Sequence, residues 1–104
     1  ISNLQYWSFE NASIWLNNDV VQAVSTDNSS VETTAITSYF ADDTYVEIEI
    51  VISVSDVKFY INETLRATHT TNIPSGSLYI GVGVRDTNTI DTNGFVEYIE
   101  AWQE

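Results

Sequence analysis

Asp86, Asn88, Asp91 and Asn93 put four oxygen-bearing side chains into eight residues, with Gly94 directly after them. Carboxylate and amide oxygens at that density are what a hard cation such as Ca²⁺ takes as ligands. The spacing is not that of an EF-hand loop, and the bidentate Glu of such a loop is missing. Asp and Asn are equally the ordinary residues of a long turn. A calcium loop and a plain loop are both open for residues 86–94.

Trp15 stands two residues before Asn17-Asn18-Asp19. A flat aromatic ring beside amide and carboxylate groups can stack on a sugar and hydrogen-bond its hydroxyls. Trp15, Asn17, Asn18 and Asp19 are therefore the candidate ligand-binding set. Trp7, Tyr39, Tyr45, Tyr60, Tyr79 and Tyr98 are further rings, but aromatics also fill β-sandwich cores. Trp102 reads as a core anchor of the last strand.

Glu47 and Glu49 are the paired carboxylates on a predicted strand. Residues two apart on a strand share a face at about 7 Å between Cα atoms, so spacing alone does not exclude a glycosidase pair. No motif supports one, and both read as solvent-face charges. No catalytic residue is assigned, and the expectation is a protein that is not an enzyme. His69 has no Ser or Cys partner pattern and sits among threonines, so it reads as structural or simply exposed. Asn11, Asn28 and Asn62 each begin an Asn-X-Ser/Thr triplet. A chain this rich in Asn, Ser and Thr yields such triplets by chance, and they carry little weight.

The elements that must position these residues are strands. Period-two alternation dominates and helical periodicity is nearly absent. Residues 45–55 are the clearest case, with Val46, Ile48, Ile50, Ile52 and Val54 on one face, predicted to be buried. Val57, Phe59 and Ile61 alternate with Lys58 and Tyr60. Asn62-Glu63 has the length of a two-residue hairpin turn before a strand at 64–70. Asn62 tolerates the positive φ of such a turn, whereas Glu63 is a poor second residue. Pro74-Ser75-Gly76 punctuates the chain, and Leu78, Ile80, Val82 and Val84 alternate again. The last strand is predicted at 95–103. Earlier strands are predicted at 5–9, 13–16, 20–25 and 30–39. About eight short strands at this spacing make a sandwich pattern.

The length of 104 residues makes one domain, spanning 1–104. Three basic residues, Lys58, Arg66 and Arg85, face fifteen acids, for a net charge of −12. Nucleic-acid binding is excluded as a class, because phosphate contacts need a basic face. An anionic membrane surface is disfavoured for the same reason, and no apolar run is long enough for a membrane-spanning helix. There is no cysteine, hence no disulfide or thiolate site. The chain begins at Ile1 without a basic-then-apolar leader, which reads as a processed chain or a piece of a longer one.

The C-terminal half carries V-K-F-Y-I-N-E-T-L at 57–65, A-T-H-T-T-N-I-P at 67–74 and F-V-E-Y-I-E-A-W at 95–102. Over residues 57–104 these stretches resemble the concanavalin A-like lectin/glucanase superfamily, and within it the laminin-G-like (LamG) jelly rolls. The resemblance implies an all-β, antiparallel β-sandwich of jelly-roll type. It implies a carbohydrate-binding, lectin-like function, and calcium in loops at the sandwich rim. Laminarinase-type members carry E-x-D-x-x-E on one strand. Here that run is E-I-E-I-V-I, with Glu49 in the middle position and Ile52 in the third, so the catalytic set is not carried over.

Family domains are longer than this chain. The sandwich is then reduced, or completed by a neighbouring chain. The leading expectation is a non-enzymatic carbohydrate-recognition module that is extracellular: secreted, on a cell surface or on a virion. The alternative is a structural subunit of a virion shell, spike or filament, with neighbouring copies of the same protein as partners in a homo-oligomer. A glucanase remnant is the third and weakest.

Overall fold

The computed structural model describes residues 10–17, 20–27, 29–41 and 44–75. Six strands order these residues: β1 (Asn11–Asn17), β2 (Val20–Thr26), β3 (Val31–Ala35), β4 (Ile48–Ile52), β5 (Val57–Ile61) and β6 (Thr64–His69). They form two antiparallel three-stranded sheets, β1-β2-β3 and β4-β5-β6. Each sheet is a meander, so every pairing is between strands adjacent in sequence. The architecture is all-β and sandwich-like, with one short 3₁₀ turn at Thr37–Tyr39.

Alternation decides the core. In β5, Val57, Phe59 and Ile61 are buried while Lys58 and Tyr60 between them are half-buried. Burying three such side chains on one face of a pleated strand is what period two provides. Val21 and Ala23 of β2, with Ile36, meet them from the first sheet, and Ala12, Ile14 and Ile50 pack at the margin. One apolar cluster therefore joins both sheets.

Strand β4 corrects the sequence expectation. Of Val46, Ile48, Ile50, Ile52 and Val54, only Val46 and Ile50 pack against the core. Ile48 and Ile52 are 42% and 40% exposed, and Val54 is fully exposed. β4 is the outer strand of its described sheet, so only its central residue, Ile50 opposite Phe59, reaches the shared interior. Its end is set by Ser53. The Asp56 amide donates to Ser53 Oγ over 3.1 Å, and the Ser53 amide donates to the Asp56 carbonyl over 2.8 Å. That local turn competes with strand extension and leaves Val54 at its tip.

The predicted strand over 30–39 is likewise shorter. β3 stops at Ala35, and the Thr37 hydroxyl then accepts the Val21 amide over 3.0 Å. The β5–β6 turn, in contrast, has the predicted two residues. Asn62 and Glu63 sit at φ 51° and 68°, the positive pair that a type I′ hairpin requires. Past it, Phe59 pairs with Ala67 but Tyr60 pairs with Leu65, so Arg66 is an extra residue in β6. Its guanidinium carbon lies 4.1 Å from the Tyr39 ring centroid, a cation–π distance. Predicted strands at 5–9, 78–84 and 95–103 lie outside the described residues.

Candidate functional site

Ala12 and Ile14 of β1 pack on the core. Alternation therefore turns Asn11, Ser13 and Trp15 to the opposite face. Those three form a chain of hydrogen bonds. Trp15 Nε1–H donates to Ser13 Oγ over 2.7 Å, and Ser13 Oγ–H donates to Asn11 Oδ1 over 2.8 Å. The indole is thereby fixed in rotation by a neighbour on its own strand.

Across the pairing, Thr26 faces Asn11, Val24 faces Ser13 and Gln22 faces Trp15. Thr26 and Val24 are fully buried, Gln22 is half-buried, and Val20 is 41% exposed. Along β2, cover on this face thins toward the β1–β2 hairpin, while Asn11, Ser13 and Trp15 on β1 are all half-buried. Asn17 is the last residue of β1 and pairs with Val20. Asn18 and Asp19, the rest of the predicted ligand-binding set, lie outside the described residues. So do Asp86, Asn88, Asp91 and Asn93, the predicted calcium set. Among the described residues, no three acidic or histidine side chains converge as a metal site would require.

Among the described residues, a second polar cluster lies between the sheets. His69 on β6 is completely buried. Its Nδ1 is 2.9 Å from Ser25 Oγ on β2, and its Nε2 is 2.8 Å from Thr34 Oγ1 on β3. Its ring meets Phe59 edge-on at 5.0 Å between centroids. Beyond it, the Thr71 amide and hydroxyl both donate to Glu32 Oε1, over 3.1 and 2.7 Å. Asn72 Nδ2 donates to Asp27 Oδ2 over 3.4 Å. Residues 69–72 thus form a polar seam against β2, β3 and the turn that follows β2.

Burial pushes His69 below the ordinary histidine value, and the nearby Glu32 charge pulls it part of the way back. Burial raises Glu32, but the Thr71 hydroxyl and amide outweigh it and hold that carboxyl below its usual range. Amide donation from Ser29, then from Ser30, holds Asp27 far below the carboxylate range. The sequence gives His69 no partner pattern because its partners, Ser25 and Thr34, are 44 and 35 residues away.

Glu47 and Glu49 are both exposed. The Glu47 amide donates to Asn62 Oδ1 over 2.9 Å, and the Asn62 amide donates to the Glu47 carbonyl over 2.8 Å. Glu47 is thereby tied through its backbone to the hairpin turn. Of the three Asn-X-Ser/Thr triplets, Asn62 is exposed on that turn and Asn11 is half-buried in β1, while Asn28 is outside the described residues. Among the described residues no helix is long and apolar enough to cross a membrane. The chain matches no protein-family model, no curated protein and no solved structure.

Proposed function

We propose that this chain is a non-enzymatic recognition module that binds carbohydrate at the β1–β2 end of a jelly-roll sandwich of the concanavalin type. The module belongs on an extracellular or surface protein. The observation that carries this reading is Trp15. Its half-buried ring lies on the face of β1 away from the core, and its orientation is set through Ser13 and Asn11. A ring held in place loses little entropy when a sugar stacks on it. Its one donor is already used by Ser13, and hydroxyl recognition in this reading falls to Gln22 across the pairing and to Asn17, Asn18 and Asp19, which follow the ring in sequence. The strongly acidic surface suits neutral sugars rather than sulfated or otherwise anionic ones. The test is a glycan array read with the wild-type chain and with Trp15→Ala. Binding to neutral glycans that the substitution abolishes supports the reading; no binding, or equal binding by both, overturns it.

A second reading is a structural subunit whose neighbouring copies complete the sandwich. It is favoured by β4, where Ile48, Val51 and Ile52 are all at least 40% exposed. Exposed apolar side chains on both faces of the outer strand of a described sheet are a surface for another chain. Mass measurement in dilute solution separates the two: a monomer favours the recognition module, and a stable oligomer lost on Ile52→Lys favours the subunit.

A further inference from the structure

We propose that His69 is a proton-operated latch between the two sheets, closed when its Nε2 accepts the Thr34 hydroxyl and loosened when that nitrogen takes a proton. Ser25 Oγ has a second acceptor in the Thr71 carbonyl, at 3.4 Å, a longer contact than the 2.9 Å to His69 Nδ1. With the Ser25 proton assigned to that carbonyl, Ser25 Oγ accepts from His69 and Nδ1 carries the ring hydrogen. A neutral imidazole has one donor and one acceptor nitrogen. Nε2 is then the acceptor, and Thr34 Oγ1–H donates to it across 2.8 Å.

Each of the three partners has one role in this arrangement. β6 supplies the ring, β2 an acceptor and β3 a donor. A proton from solvent on the Nε2 lone pair turns that nitrogen into a donor. Two hydrogens then face each other until Thr34 rotates its hydroxyl away, and a full charge is placed in an interior site. Among the described residues, the elements packed around the ring offer one countercharge, Glu32 on β3. β2 presents Ser25 and β5 presents Phe59, neither of them charged. Glu32 is itself held by Thr71 on the far side of the seam, and it remains ionised throughout the histidine range. The ring's neutral form is therefore the one this site is built for.

The sign follows from linkage. A base whose proton affinity is lowered by folding binds protons more readily in the unfolded chain. The seam's full contribution is present above the ordinary histidine value of 6.5 and is lost as pH falls from there toward the lower folded-state value. One proton is involved, so the folding equilibrium constant falls by at most about tenfold per pH unit. His69 is the sole histidine of the chain, which makes this window clean of other side chains.

The experiment uses the full chain and urea unfolding followed by tryptophan fluorescence, at several values between about pH 7.5 and about pH 5.5. Wild type is expected to lose stability across this window, and His69→Gln to be flat. Equal pH dependence in both overturns the latch. If His69→Gln does not fold, long-range ¹H–¹⁵N NMR of the wild-type ring decides. A hydrogen on Nδ1 at neutral pH and titration below 6.5 uphold the proposal; a hydrogen on Nε2, or titration at or above that value, overturns it. Thr34→Val removes the donor to Nε2 and is expected to move the titration upward, an effect a purely packing role for the ring would not produce.

Discussion

Ser25 Oγ and His69 Nδ1 lie 2.9 Å apart, and the two residues belong to different sheets. The contact makes His69 the polar counterpart of Phe59, beside which it packs. Truncating it has two costs. His69→Ala leaves a cavity against Phe59 and strands the hydroxyls of Ser25 and Thr34. The expected loss is about 2–4 kcal/mol, from cavity and unsatisfied-group terms together. Urea unfolding at neutral pH checks it, and a loss below about 1 kcal/mol would contradict the seam's role.

The two ends of β4's apolar face should respond differently from its middle. Ile50 lies opposite Phe59 and packs on the core, while Ile52 is 40% exposed. Ile50→Ala is expected to cost more than about 2 kcal/mol and Ile52→Thr less than about 1 kcal/mol. Phe59→Ala, at the centre of the cluster, is expected to cost about 3–5 kcal/mol. The same denaturation series reads all three, and equal effects at positions 50 and 52 would contradict the packing described.

The β5–β6 turn holds a non-glycine residue in the left-handed region at each of its two positions. Asn tolerates that region; Glu63 does so at a cost of about 1–2 kcal/mol. Glu63→Gly removes the cost and adds back part of it as backbone entropy. The net expectation is a stabilisation of up to about 1 kcal/mol, seen as a higher melting temperature. A destabilised variant would mean that Glu63 makes a compensating contact.

These contrasts also mark what the sequence makes legible. β5 and its turn can be read directly, because Val57, Phe59 and Ile61 alternate cleanly and Asn62-Glu63 has the length of a hairpin turn. The ends of β3 and β4 cannot. Each is set by a hydroxyl, Thr37 accepting from Val21 or Ser53 bonding Asp56, and alternation carries no record of such bonds. Periodicity also assigns a face without saying how much of it is covered, which is why Ile48 and Ile52 are over-counted as buried. At the candidate site, Trp15 is legible as a ring near amides, but its clamp through Ser13 and Asn11 needs the strand's geometry. His69 is legible as a structural candidate, but its partners Ser25 and Thr34 are not, since they come from strands remote in sequence.

Acid should act on the turn after β2 as well. The amides of Ser29 and Ser30 hold Asp27 ionised far below its ordinary value of 3.8. The contribution of a carboxylate so held is complete above that ordinary value and is lost as pH falls beneath it. Asp27→Asn is expected to flatten the acid limb of stability between about pH 4 and about pH 2. An unchanged limb would show that the Ser29 and Ser30 bonds are not maintained in solution.

The most direct test of the recognition account is an NMR titration of the ¹⁵N-labelled chain with neutral oligosaccharides. The account predicts saturable shifts centred on the Trp15 indole N–H, with Ser13, Asn11 and Gln22 following it. Shifts that bypass Trp15, or none at any sugar concentration reached, would contradict it.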